Sequence, residues 1–301
     1  MSGAPLKIGF IGLGNMGGPM AVNLVNAGHI VSGYDLSEEA RDQFSLAGGK
    51  AALSLEETVK DAQVVITMLP AGKHVKAVYL GDNGIFELVG EGTLLIDSST
   101  IDVESARYVS QKASEVGHDL IDAPVSGGVA GASSGSLTFM VGGHVQAVER
   151  AKPILEIMGK SIVHAGEAGA GQAAKICNNM LLGVSMIGTC EAFLLADKLG
   201  LDRQKLFDIS SASSGQCWAL TSYCPVPGPV PSSPANNDYQ AGFSAAMMLK
   251  DLLLAKEALD KLEVSAPMGQ KAAETYEKFC LDLGETADFS GIINFLRKEG
   301  K

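Results

Sequence analysis

Through the first half of the chain, short runs rich in Val and Ile alternate with longer stretches whose apolar residues recur three and four positions apart. The runs at 7–12, 30–34, 64–68, 94–97, 119–122, 138–142 and 162–164 predict strands, and the stretches 19–27, 102–116 and 145–158 between them predict helices. Such alternation predicts βαβ units built on a parallel sheet. From about residue 166 the strand signals stop, and longer helical patterns at 171–199, 242–262 and 268–281 take over. The pattern therefore predicts an α/β domain over 1–165, a doubly wound sheet, followed by an all-α domain over 166–301. Residues 223–234 hold too many prolines for a helix, because proline lacks the amide donor and restricts its predecessor. This segment predicts an irregular crossing loop, held by packing near Trp218, the only Trp in the chain.

Gly12-Leu13-Gly14-Asn15-Met16-Gly17 follows the first predicted strand and opens a helix, the context in which a G-x-G-x-x-G run means more than a turn. Gly12 permits the tight turn, Gly14 lets a pyrophosphate approach the backbone, and Gly17 seats the helix close on the sheet. This predicts a Rossmann-type dinucleotide site. Asp35 ends the second strand about 20 residues on, where a carboxylate accepts hydrogen bonds from the adenine ribose and repels a 2′-phosphate. NAD is thus expected rather than NADP. Asp35 could instead cap the helix at 37–47, although Ser37 is the better-placed cap. Arg41 reads as part of that helix's solvated face.

Lys175 stands alone at the start of a long apolar helix, with three glycines before it (Gly166, Gly169, Gly171) and Asn179 four residues later on the same face. Such a lysine either snorkels to solvent or points into a polar site suited to proton transfer. His74 follows Met68-Leu69-Pro70 at a strand end, on the sheet edge where ligands bind. The segments 96–100 and 122–128 end on the same edge in small hydroxyl and glycine residues; they could cradle an anion or simply turn the chain. Lys250-Asp251 reads, from pattern alone, as a solvated pair.

Composition narrows the function classes. Lys and Arg total 23 against 34 Asp and Glu, a formal charge of -11 that disfavours nucleic acid. Five widely separated cysteines without a C-x-x-C pair, and five histidines without metal-ligand spacing, give no metal site and fit a reducing compartment. The chain opens without a leader pattern, which predicts a cytoplasmic location. The uncharged run 176–190 falls short of a membrane span and is broken by Asn178, Asn179, Ser185 and Thr189. No membrane association is expected; the apolar excess of this helix predicts burial in a homodimer or homotetramer.

The segments 10–24, 122–128 and 169–179 together resemble the signature, substrate loop and catalytic helix of the β-hydroxyacid dehydrogenases. Residues 213–218 and 223–228 resemble the 3-hydroxyisobutyrate dehydrogenase branch more than the tartronate semialdehyde reductase branch. The resemblance implies NAD-dependent oxidation of 3-hydroxyisobutyrate to methylmalonate semialdehyde, a step of valine catabolism. It makes Lys175 the acid/base, Asn179 its partner on the β-hydroxy acid, and Ser126, Gly127 and Gly128 the carboxylate grip. It sets Leu69, Pro70 and Thr100 beside the nicotinamide half of the cofactor, and Lys250 at the nicotinamide end, against the bland reading of that lysine. Gln216 and Cys224 depart from mitochondrial members, which carry Arg and Asn there, so a serine or tartronate semialdehyde enzyme is the rival. A non-catalytic binding module on the same scaffold is the alternative of another class.

Overall fold

The computed structural model describes residues 4–284 and 286–299. The chain forms two compact units, Met1–Lys175 and Ile176–Lys301.

In the first unit, strands β1 (Lys7–Ile11), β2 (Ile30–Tyr34), β3 (Lys50–Ala51), β4 (Val64–Thr67), β5 (Leu94–Asp97), β6 (Asp119–Asp122), β7 (Val125–Ser126), β8 (Leu137–Gly142) and β9 (Gly159–Gly166) form one sheet. Its order is β3-β2-β1-β4-β5-β6-β8-β7, with β9 on β8. The six strands from β3 to β6 run parallel, as expected. Beyond β6 the pairing changes, for β8 is antiparallel to both β6 and β7. The two-residue strands β3 and β7 are too short to carry a period in sequence.

The helices of this unit are α1 (Gly17–Asn26), α2 (Glu38–Leu46), α3 (Leu55–Val59), α4 (Gly72–Leu80), α5 (Ile85–Leu88), α6 (Val103–Glu115), α7 (Gly128–Ser133) and α8 (Val145–Met158). Strand side chains alternate between faces, so the sheet has two cores. Ile8, Phe10, Val64, Ile66, Leu94 and Ile96 face Met20 and Leu24 of α1 and Ile154 and Leu155 of α8. Ile11, Val65 and Leu95 face Val75 and Tyr79 of α4 and Ala106 and Val109 of α6. Burial on both faces explains why these strands read as unbroken apolar runs.

Helix α9 (Ala170–Leu199) starts in the first unit and continues as the first element of the second. The compact division falls after Lys175, and polar groups at the start of α9 bond to the strand ends of the sheet unit. The second unit adds α10 (Arg203–Ser211), α11 (Trp218–Thr221), α12 (Ala245–Lys261), α13 (Pro267–Leu283) and α14 (Ile292–Glu299). Its core joins Met186, Cys190 and Phe193 of α9 to Met248 and Leu252 of α12 and Tyr276 and Phe279 of α13. The Pro-rich segment is irregular and packs into this core through Cys224, Val226 and Val230. Trp218 is 50% exposed and stacks on Tyr223, with ring centroids 5.1 Å apart, so the Trp is not the residue that anchors the loop. By length and apolarity α9 could cross a bilayer, yet Gln172, Lys175 and Asn179 on it are buried in protein.

Candidate active site

The sheet order reverses at β1: β2 and β3 build outward on one side, β4 to β6 on the other. The loops leaving β1 and β4 part at this point, where sheets of this class bind ligands beyond their strand ends. Gly12 (φ +93) leaves no space for a Cβ beside the Met68 carbonyl, and a Cβ on Gly17 would collide with the Gly12 carbonyl. These two glycines are required by the chain's own packing. Gly14 differs, for a Cβ there would meet nothing within 4 Å. The small residue therefore leaves open a cradle at the start of α1, whose backbone N–H groups favour an anion. A dinucleotide pyrophosphate fits the space and the donors.

Asp35 closes the far end of this loop. Its Oδ2 accepts from the Leu13 N–H at 2.7 Å and its Oδ1 from the Ser37 N–H at 2.8 Å. Ser37, not Asp35, caps α2, accepting from the Ala40 N–H. A carboxylate has about four lone-pair sites, so acceptor capacity remains for ribose hydroxyls. Arg41 does not merely face solvent: its Nη1 donates to the carbonyls of Asp35 (2.6 Å) and Leu36 (3.2 Å), which fastens α2 to the end of β2.

Beyond β4 and β5, one buried hydrogen-bond system links the strand ends. The Leu69 N–H donates to Ser99 Oγ (2.8 Å), and Ser99 Oγ donates to Asp97 Oδ1 (2.5 Å). Asp97 Oδ1 also accepts from Thr67 Oγ1 at 2.8 Å, and Thr67 Oγ1 shares a hydrogen bond with the Tyr79 hydroxyl. Burial pushes the Asp97 carboxyl up to about 6; hydrogen bonds from Ser99 and Thr67 oppose this, and Asp122 adds to it. Asp122 lies directly across from Asp97 in the β5–β6 register.

Asp122 ends β6 and receives the start of α9. Its Oδ1 accepts from the Gly169 N–H (2.7 Å) and its Oδ2 from the Gln172 N–H (2.9 Å), so a carboxylate meets the positive end of the helix. Burial raises its pKa against these bonds. A Cβ on Gly171 would strike the carbonyls of Met140 and Asp122, so glycine there lets the helix end press onto the sheet. Lys175 follows one turn later and is only 6% exposed, which removes the snorkelling alternative. On the same strand edge, Leu69 and Thr100 are half-buried, whereas Pro70 and His74 are exposed. Ser126 belongs to β7 opposite Thr138, and Gly127 (φ +137) and Gly128 (φ +63) take positive-φ conformations that favour glycine.

In the second unit, Asn179 is buried one turn after Lys175 on α9. Its Nδ2 donates to Asp251 Oδ2 at 2.5 Å, and its Oδ1 accepts from Asn178 Nδ2 at 2.9 Å. Asp251 is therefore no solvated partner of Lys250, the reading its sequence pattern suggested. It is 3% exposed, while Lys250, 3.5 Å away, keeps its side chain partly in solvent. Cys224 lies fully in the core, where burial raises its thiol pKa, and Gln216 is exposed. Among the described residues, no group of three or more His, Cys, Asp or Glu side chains is placed to hold a metal.

Sequence reasoning missed Asp97, Ser99, Gln172 and Asp251 as parts of these networks. The available signal was polar residues at strand ends and inside apolar helices, where burial demands a partner.

Comparison with known proteins fits this geometry. Residues 7–166 match the family described as the NAD binding domain of 6-phosphogluconate dehydrogenase, and residues 169–296 the NAD-binding domain of NADP-dependent 3-hydroxyisobutyrate dehydrogenase. The 3-hydroxyisobutyrate dehydrogenase of Pseudomonas aeruginosa is 50% identical over 96% of this chain and 98% of its own. The NAD-dependent L-serine dehydrogenase of the same organism is 48% identical over 95% of this chain and 96% of its own. A solved structure of Mycobacterium tuberculosis 3-hydroxyisobutyrate dehydrogenase with L-serine superposes with a TM-score of 0.93 at 50% identity, over 97% of this chain and 99% of that one. The chain thus belongs to the 3-hydroxyisobutyrate dehydrogenase family of NAD-dependent oxidoreductases.

Proposed function

We propose that this enzyme oxidises 3-hydroxyisobutyrate to methylmalonate semialdehyde, the corresponding step of valine breakdown, with Lys175 taking the hydroxyl proton. The observation that carries this reading is a lysine buried on the first turns of α9, where Asp122 and Gln172 bond the helix to the ends of β5 and β6, on the sheet edge that also carries the glycine loop. NAD, when bound, supplies the hydride acceptor. Gly12 to Gly17 would hold its pyrophosphate and Asp35 its adenine ribose; Leu69, Pro70, His74 and Thr100 would line the remainder, with Lys250 at the nicotinamide end. Asp35 favours NAD because its carboxylate would repel a 2′-phosphate.

Lys175 must be neutral to receive the proton, and it returns that proton to the carbonyl oxygen in the reverse direction. Asn179, its carboxamide oriented by Asp251 and Asn178, would hold the substrate hydroxyl, and Ser126, Gly127 and Gly128 its carboxylate. Exposed Leu181, Leu195 and Leu199 on α9 support a homodimer or homotetramer that covers this helix. A cytoplasmic location accords with cysteines that form no disulfide among the described residues.

L-serine oxidation is a second reading, favoured by the 48% identical L-serine dehydrogenase and by the solved Mycobacterium tuberculosis relative with L-serine. Turnover of 3-hydroxyisobutyrate, L-serine and glycerate with NAD and NADP tests both. The proposal expects the highest kcat/KM for 3-hydroxyisobutyrate with NAD; a preference for serine transfers the assignment. Lys175→Ala should abolish turnover and leave NAD binding largely intact, and near-normal turnover in that variant would discard the mechanism together with the enzyme reading of Lys175.

A further inference from the structure

Gln172 is fully buried, three residues before Lys175, and both ends of its carboxamide are bonded to residues more than 70 positions away in the chain. Its Nε2 donates to the Ser99 carbonyl at 2.7 Å, and its Oε1 accepts from the Ile101 N–H at 3.0 Å. Its own N–H donates to Asp122 Oδ2 at 2.9 Å. The side chain therefore brackets Thr100, grasping the residue on each side of it. Ser99 in turn holds the Leu69 N–H through its hydroxyl.

We infer that Gln172 is a positioning residue, a two-point amide clamp that fixes the 99–101 segment against the helix turn that carries Lys175. The inference rests on the reading of Thr100 as a nicotinamide neighbour and of Lys175 as the proton carrier. A carboxamide suits the role chemically, because it donates to a carbonyl and accepts from an N–H at once, in one plane and without charge. No charged or apolar side chain of that length does both. A carboxylate keeps the bond from Ile101 but turns a second acceptor toward the Ser99 carbonyl, and a thioether makes neither bond. Either loss leaves buried backbone groups unpaired, so the segment must shift to find new partners. The glycine loop and Asp35 have no bond to Gln172, so the adenosine end of the cofactor is untouched by such a shift.

The test compares the full-length enzyme with Gln172→Glu and Gln172→Met, using NADH as the probe and whichever substrate the wild type oxidises best. Three quantities are read: the NADH dissociation constant, the fluorescence of the nicotinamide in bound NADH, and kcat. The clamp predicts a dissociation constant within about threefold of wild type, since a threefold change is well under 1.4 kcal/mol. It also predicts a clear loss of nicotinamide emission in the complex as the ring gains freedom, and a fall of about tenfold or more in kcat. Wild-type emission and kcat in a folded variant overturn the inference, as does a loss of NADH affinity matching the loss of kcat. Failure of both variants to fold also overturns it, since Gln172 then serves stability alone. Absence of turnover in the wild type would instead sink the proposed function, and the emission and affinity arms would still decide the role of Gln172.

Discussion

Replacing Asp97 by asparagine should change how the stability of this protein depends on pH, and the size of the change follows from the site. The carboxyl is entirely buried between β4, β5 and α4, and burial outweighs the hydrogen bonds from Ser99 and Thr67, raising its pKa from 3.8 to about 6. At about 1.36 kcal/mol per unit, a shift of about two units corresponds to roughly 3 kcal/mol. The folded protein holds this proton more tightly than the unfolded chain. The contribution is thus fully present below about pH 4 and is lost as pH rises through about 6. The carboxamide of the variant carries no titrating proton, and other groups contribute alike to both proteins. The stability of Asp97→Asn relative to wild type should therefore improve by roughly 3 kcal/mol between pH 4 and pH 8. Urea unfolding of the cofactor-free protein, followed by far-ultraviolet circular dichroism across this range, measures the difference directly. Parallel wild-type and variant profiles would refute the assignment of a buried, protonatable carboxyl at the end of β5.

Four other substitutions separate packing from function. Gly14→Ala should leave the melting temperature nearly unchanged and weaken NAD binding by about tenfold or more, whereas Gly17→Ala should destabilise the fold itself, because a Cβ meets open space at the first position and the Gly12 carbonyl at the second. Calorimetry and NADH titration distinguish the two, and equal destabilisation would contradict the open cradle. Asp35→Ala should lower the NAD-to-NADP ratio of kcat/KM by about tenfold or more, by removing both a ribose acceptor and a repulsive charge; an unchanged ratio would place selectivity elsewhere. Asp251→Leu should lower kcat by about tenfold or more with NADH affinity intact, since Asn179 loses the carboxylate that orients its amide. Normal kcat would show that this orientation is dispensable.

The legible part of this protein is the part governed by period and by local sterics. Ile8, Phe10, Val64 and Ile66 alternate with residues of the opposite core, and the strands at 30–34, 94–97 and 119–122 form where the apolar runs lie. The glycine loop is legible because Gly12 and Gly17 answer to backbone collisions close in the sequence or on the adjacent strand. The two-residue strands and the antiparallel turn of β8 are not legible, since two residues carry no period and strand direction depends on how the intervening chain folds back. The Pro-rich loop is packed, as its place next to Trp218 suggests, but the residues that enter the core are Cys224, Val226 and Val230.

The chemistry divides along a similar line. Residue type and spacing alone single out Gly12 to Gly17, Asp35, Lys175 and Asn179 as candidates, while the roles proposed for Lys175 and Asn179 come from the resemblance to the family. Partners were decided by tertiary structure. Gln172 meets Ser99 and Ile101, Asp122 meets Gly169, and Asp251 meets Asn179, each across about 50 to 70 residues of chain. A hydrogen bond between distant residues leaves no local pattern; it exists because folding buries both groups and burial requires that each find the other.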